Sequence, residues 1–209
     1  EPLEQMIAVR HQYMGKIIKK FINKNIYEYF KNKKILDIGC GTGEFLKNYH
    51  DLGNQCIGID IQQNFKFKNL KGYLLKNIDL KSFIKKNKQK FDVIFLFEFL
   101  EHLNMEDRKF LFKNLFNLLN KNSLVFISTL NKNMISKFFS IEIAEKYLKL
   151  LPQNTHDYKY FLKPSEIQKL AKSNKLDLLD ISGMTYNPLF KSFKLSNFDL
   201  INYFGTLRS

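Results

Sequence analysis

The segment Asp37-Ile-Gly39-Cys-Gly41-Thr-Gly43 sets three alternating glycines directly behind the apolar residues Ile35, Leu36 and Ile38, and no other stretch limits the possible folds as tightly. Glycine takes up backbone conformations that other residues avoid, and it lets a chain pass a ligand without a Cβ in the way. The run before the loop reads as a buried strand. Residues 44–50 behind it read as a helix, whose N-terminus presents free backbone N–H groups. A second strand over 55–59 closes on Asp60, about twenty residues past the first glycine, the spacing at which a carboxylate can accept both ribose hydroxyls of a nucleotide.

The rest of the chain extends this unit. Residues 73–75 read as a third strand, 91–97 as a central parallel strand covered on both faces, and 124–129 as its repeat after a helix over 105–119. Strands alternating with helices predict an α/β fold, Rossmann-like, with a mainly parallel seven-stranded sheet flanked by helices. In this reading residues 1–30 hold one or two leading helices, with Leu3, Met6, Ile7, Tyr13, Ile17, Ile18 and Phe21 at helical spacing. Residues 31–130 form the cofactor-binding core, and 131–175 a helical insertion after the fifth strand that ends in a helix over 164–172. Residues 176–209 supply the last strands, near 176–184 and 200–207. No linker or repeat divides the 209 residues, which are expected to form a single domain.

The acid two positions before the first glycine decides between ligands. Asp37 would repel the pyrophosphate of a dinucleotide, but it suits S-adenosylmethionine, which brings a sulfonium and an amino acid. The expected protein is therefore a class I methyltransferase, with Gly39, Gly41 and Gly43 beside the donor and Asp60 on its ribose. Asn77 or Asp79, after the third strand, would face the adenine amino group; Asp79 reads equally well as a helix cap.

The central strand runs into Phe97-Glu98-Phe-Leu-Glu101-His102, which puts two carboxylates and an imidazole within five residues at the edge where open α/β sheets place their ligands. Such a set could hold Mg²⁺ or another divalent cation and favour a catechol-like phenolate. The same residues can also serve packing or capping without metal. His102 and His156 are the candidate general bases.

Charge adds less than its size suggests. Lys and Arg number 34 against 20 Asp and Glu, a formal net charge of +14, yet only Arg10, Arg108 and Arg208 are arginine, and the lysines are scattered among asparagines. That pattern reads as compositional drift. With no Asn-Pro-Pro-Tyr/Phe motif where Glu98 to His102 stands, nucleic acid is not an expected partner. Cys40 and Cys56 alone argue against a disulfide framework.

Several separated motifs together resemble the ubiquinone-biosynthesis O-methyltransferases. They are the glycine loop, Glu98-Phe-Leu-Glu101-His102, Ser128-Thr-Leu-Asn131-Lys-Asn133, Thr155-His-Asp157-Tyr-Lys-Tyr-Phe-Leu-Lys163-Pro164, Gly183-Met-Thr-Tyr186-Asn187-Pro188, Phe193-Lys194-Leu195 and Asn202-Tyr203. The resemblance implies methylation of catechol hydroxyls on polyprenylated intermediates, namely 2-polyprenyl-6-hydroxyphenol and 3-demethylubiquinol. It implies donor contacts at Arg10, Gly39, Asp60 and Phe97, with Phe97 where methionine is familiar, and metal ligands at Glu98, Glu101 and His102. Between Asp60 and Tyr73 the chain is shorter than the family pattern, so the helix linking strands two and three is expected to be truncated. Residues 134–151 are broadly apolar and carry Lys137, Lys146 and Lys149, as in a segment that lies on an anionic membrane, although a lid over the core fits as well. The expected location is the cytoplasmic face of a bacterial inner membrane, or the matrix face of the mitochondrial inner membrane, within or beside a quinone-biosynthesis complex. A methyltransferase for another small molecule, or a weakly active scaffold of such a complex, are the alternatives.

Overall fold

The structure is a computed structural model that describes residues 2–137, 157–187 and 192–209. The order of elements is α1 (Pro2–Ile22), α2 (Ile26–Tyr29), β1 (Lys34–Ile38), α3 (Glu44–His50), β2 (Gln55–Asp60), β3 (Tyr73–Asn77), α4 (Leu80–Lys86), β4 (Phe91–Phe97), α5 (Met105–Leu118), β5 (Leu119–Leu130), α6 (Met134–Lys137), α7 (Pro164–Ser173), β6 (Asp177–Asn187), β7 (Ser192–Ser196) and β8 (Asn202–Arg208). The strands form one sheet in the order β3-β2-β1-β4-β5-β8-β6-β7. β1 to β5 pair in parallel, whereas β8 runs antiparallel to both β5 and β6.

Period-two alternation along the strands divides the interior into two layers. Ile35, Val93, Phe95, Phe97 and Phe126 face α1 and α3 through Tyr13, Ile17, Phe45 and Tyr49. Leu36, Ile94, Leu96, Val125 and Ile127 face the opposite way, onto Phe83 of α4, Leu111 and Leu115 of α5 and Ile167 of α7. With both faces covered, the central strands are apolar along their whole length, and for that reason they are readable in the sequence.

Several expectations need correction. The described sheet has eight strands, not seven, because Ser192–Ser196 adds an antiparallel edge through its pairing with β6. Its five residues are too few for periodicity to register, although Phe193 and Leu195 pack inward. Helix α5 ends at Leu118, and β5 starts at once with Leu119 opposite Phe91, so residues 119–123 are strand. Helix α4 was not expected; the side chain of Asp79 caps it, accepting from Ser82 N–H at 2.9 Å. Residues 61–72 contain no helix, as the shortened spacing predicts, and the segment is pinned by Lys66 N–H donating to Thr42 O at 2.9 Å. Of the apolar insertion, residues 138–151 lie outside the described residues, as do His156 and Pro188. Among the described residues no helix is long and apolar enough to cross a membrane.

Candidate functional site: a donor cleft at the carboxyl edge of the sheet

At the end of β1 the chain turns through Gly39, Gly41 and Gly43 with φ of +77°, +55° and +82°. Space and torsion both demand glycine at the third position. A Cβ on Gly43 would lie 2.6 Å from the Tyr73 hydroxyl and 2.8 Å from Leu75 Cδ1, and that hydroxyl donates to Gly43 O at 2.9 Å. The N–H groups of Gly39 and Cys40 donate to Ile59 O at 2.9 and 3.1 Å, which stitches the loop to β2. Asp60 then closes the loop from the far side. Its Oδ2 accepts from Gly41 N–H at 2.9 Å and its Oδ1 from Gln62 N–H at 2.8 Å.

Between this loop and α4 lies a cleft of about 470 Å³, lined by Gly39, Asp60, Ile61, Ile78, Asp79, Glu98, Phe99, His102 and Leu103. Ile61, Ile78, Phe99 and Leu103 give it apolar walls, as a purine requires, and Asp60, Asp79, Glu98 and His102 bring its polar groups. The sequence reading missed Ile61, Ile78, Phe99 and Leu103. Single apolar residues in loops carry no periodic signal, and only the 74% exposure of Ile61, unusual for a loop isoleucine, marks it now. Asn77 is a correction. Its side-chain amide turns back to donate to Ile61 O at 2.9 Å, so it fastens the loop after β2, and Asp79 is the residue that lines the cleft.

On the α1 side of the glycine loop, the buried guanidinium of Arg10 lies over the rings of Phe97 at 4.8 Å and Phe45 at 5.5 Å. Burial pulls its pKa down, while the charges of Glu98, Asp37 and Glu101 oppose that shift. Its Nε is buried without a hydrogen-bond partner. An orphan cationic donor of this kind suits the carboxylate of an amino acid. Phe97 supports Arg10 from below and does not line the cleft.

Burial pushes the Asp37 carboxyl up to about 7, with Arg10 opposing the shift. The folded state therefore keeps this proton to near neutral pH, whereas the unfolded chain releases it near 3.8, so the associated stability is full below about pH 4 and lost as pH rises toward 7. Relative to the wild type, Asp37→Asn should thus gain roughly 2 kcal/mol between pH 5 and pH 8 by chemical denaturation. An equal offset at both pH values would refute the assignment.

The expected metal trio is not assembled. Glu98 sits in the left-handed region at φ +50°, a conformation that costs a non-glycine residue roughly 1–3 kcal/mol. It is held there by Ser128, whose backbone oxygen accepts the Glu98 N–H at 3.0 Å and whose hydroxyl donates to Glu98 Oε1 at 2.7 Å. The following 3₁₀ turn, Leu100–His102, sends the next two side chains in opposite directions. Glu101 points inward, fully buried, and accepts from the Thr129 hydroxyl at 2.8 Å; burial and the Glu98 charge push its pKa well above the carboxylate range. His102 stands exposed at the cleft. Among the described residues no three His, Cys, Asp or Glu side chains are placed to hold a metal.

The described parts of the late motifs act through hydrogen bonds that fix the site's turns. Ser128 and Thr129 hold the two glutamates, and Asp157 caps a short 3₁₀ turn by accepting from Lys159 N–H at 3.0 Å. Tyr160 O accepts from the buried guanidinium of Arg108, which also donates through Nε to Leu100 O at 3.0 Å. The segment after the insertion is thereby locked to the turn that carries Glu101.

The sheet order, the glycine turn and the closing acid together define a class I S-adenosylmethionine-dependent methyltransferase. Residues 9–181 match the family described as a methyltransferase domain. The chain is 40% identical to a ubiquinone biosynthesis O-methyltransferase of Pelagibacter ubique over 97% of its own length and 86% of the relative's. It is 35% identical to the enzyme of that name from Coxiella burnetii, over 88% and 80%. This chain belongs to the ubiquinone biosynthesis O-methyltransferase family. Solved structures share the fold alone. An S-adenosylmethionine-dependent methyltransferase of Archaeoglobus fulgidus superposes with a TM-score of 0.63 at 18% identity, covering 95% of this chain and 94% of that one. The magnesium protoporphyrin IX methyltransferase of Synechocystis, with bound S-adenosylhomocysteine, superposes at 0.60 and 16%, covering 97% and 84%.

Proposed function

We propose that this chain transfers a methyl group from S-adenosylmethionine to a catechol hydroxyl of polyprenylated ubiquinone precursors, 2-polyprenyl-6-hydroxyphenol and 3-demethylubiquinol. The 40% identity to a relative of that name over nearly the whole chain carries this reading. The cleft geometry accounts for how it would work. When bound, the donor supplies an electrophilic methyl on a sulfonium.

The chain supplies position and a proton acceptor. Each Asp60 oxygen already accepts one backbone N–H and keeps a lone pair for a ribose hydroxyl. Ile61, Ile78 and Leu103 wall the adenine, and Arg10 faces the donor carboxylate. His102, exposed at the cleft, takes the catechol proton as the oxygen attacks, while Ser128 keeps Glu98 aimed into the same space. Holding acceptor and donor in line accounts for most of the rate gain expected of such an enzyme. No step is assigned to a metal.

The polyprenyl tail places the reaction at a membrane surface, the cytoplasmic face of a bacterial inner membrane or the matrix face of a mitochondrial one, beside other quinone-biosynthesis enzymes. Incubation with the donor and a short-chain polyprenyl catechol should yield the methyl ether by mass spectrometry without added Mg²⁺. Calorimetric donor binding with no methylation of any catechol would overturn the acceptor.

A further inference from the structure

Residues 197–201, between β7 and β8, form a loop fixed from several sides. On one side the chain presses against β6 so closely that a Cβ on Gly183 would stand 1.8 Å from Phe198 O. On the other, Asn131 Nδ2 donates to Asp199 O at 2.5 Å, Asn133 Nδ2 to Leu200 O at 2.8 Å, and Asn131 N–H to Ile201 O at 2.8 Å. The Phe198 N–H is itself held by Ser196 Oγ at 3.0 Å.

This rigid loop points apolar side chains at solvent. Phe198 is 69% exposed and Leu200 45%, and α6, reached directly from Asn133, adds Met134 at 71% and Ile135 at 45%. Scattered exposed apolar residues need no explanation, but four on two stretches tied to each other do. With its backbone already ordered, such a surface loses little entropy on binding.

Its place in the sheet identifies the occupant. The lip begins where β5 ends. Leu130 of β5 pairs with Asn202, the first residue after the loop, and two residues earlier on the same strand Ser128 grips Glu98 in the cleft. The apolar residues thus stand at the carboxyl end of β5, the strand whose Ser128 holds Glu98. Asp199 lies between Phe198 and Leu200 in the chain but is half-buried, whereas both apolar side chains are exposed.

We propose that Met134, Ile135, Phe198 and Leu200 form the seat of the acceptor's isoprenoid tail, which holds the catechol ring toward Glu98 and His102. This rests on the polyprenyl catechol reading above. The test is steady-state methylation, without vesicles, of a tail-less catechol and of the same catechol bearing two isoprene units. For the wild type KM should fall about tenfold with the tail. In a Phe198→Ser, Leu200→Ser double variant, and separately in Met134→Ser on the other stretch, that ratio should collapse toward one and three respectively. A ratio still near ten in both variants overturns the tail seat while leaving the acceptor reading intact. A difference between wild type and variants that emerges only when anionic vesicles are added overturns it in favour of a bilayer contact. A wild type that methylates no catechol removes the acceptor reading and this inference together.

Discussion

Gly183→Ala should lower the stability of the fold by about 3 kcal/mol, a fall in Tm of roughly 6–12 °C for a chain of this size. The cause is volume, not torsion. The added Cβ would meet backbone atoms on the opposite side, Phe198 O at 1.8 Å, Phe198 C at 2.4 Å and Asp199 N at 2.9 Å, and backbone cannot rotate away as the end of a side chain can. The loop would have to lift, breaking its bonds from Asn131 and Asn133. Calorimetric melting checks this, and a midpoint within about 2 °C of the wild type would contradict the close approach. Contrast comes from Gly41, where an added Cβ meets nothing within 4 Å. Alanine there is strained only by its φ of +55°, an expected loss of about 1 kcal/mol.

Asp60→Ala should raise the dissociation constant for S-adenosylmethionine about a hundredfold, read by titration calorimetry. Two effects combine. The carboxylate that would accept the ribose hydroxyls is lost, and so are the bonds from Gly41 and Gln62 that hold the glycine turn against β2. Asp60→Asn retains one acceptor oxygen and should fall between alanine and wild type. Affinity unchanged in Asp60→Ala would remove this residue from the donor site and move the ribose elsewhere in the cleft.

The main frame of this fold was legible because its strands are buried on both faces. Phe91–Phe97 and the apolar run in β5 announce themselves without any partner being known. The glycine turn was legible for a similar reason, since left-handed torsions at three alternating positions admit few other residues. Strand β7 and helix α4 were not, being five and seven residues long and half exposed. The motifs Ser128 to Asn133 and Gly183 were visible as letters but not as contacts. Their partners, Glu98, Glu101 and residues 198–200, lie roughly 15 to 70 positions away in the chain, beyond any local periodicity.

By itself, the order of strand, glycine turn, helix and acid determined that this protein binds S-adenosylmethionine at the carboxyl edge of a parallel sheet, because backbone torsion and residue spacing are local properties. Tertiary structure alone decided what the acidic cluster can do. Glu98, Glu101 and His102 are neighbours in the chain, but a left-handed residue followed by a 3₁₀ turn sends one carboxyl to Ser128, one into the core against Thr129, and the imidazole to the cleft. Proximity in sequence sets which groups are near one another; direction, burial and therefore protonation are set by the strand that packs against them.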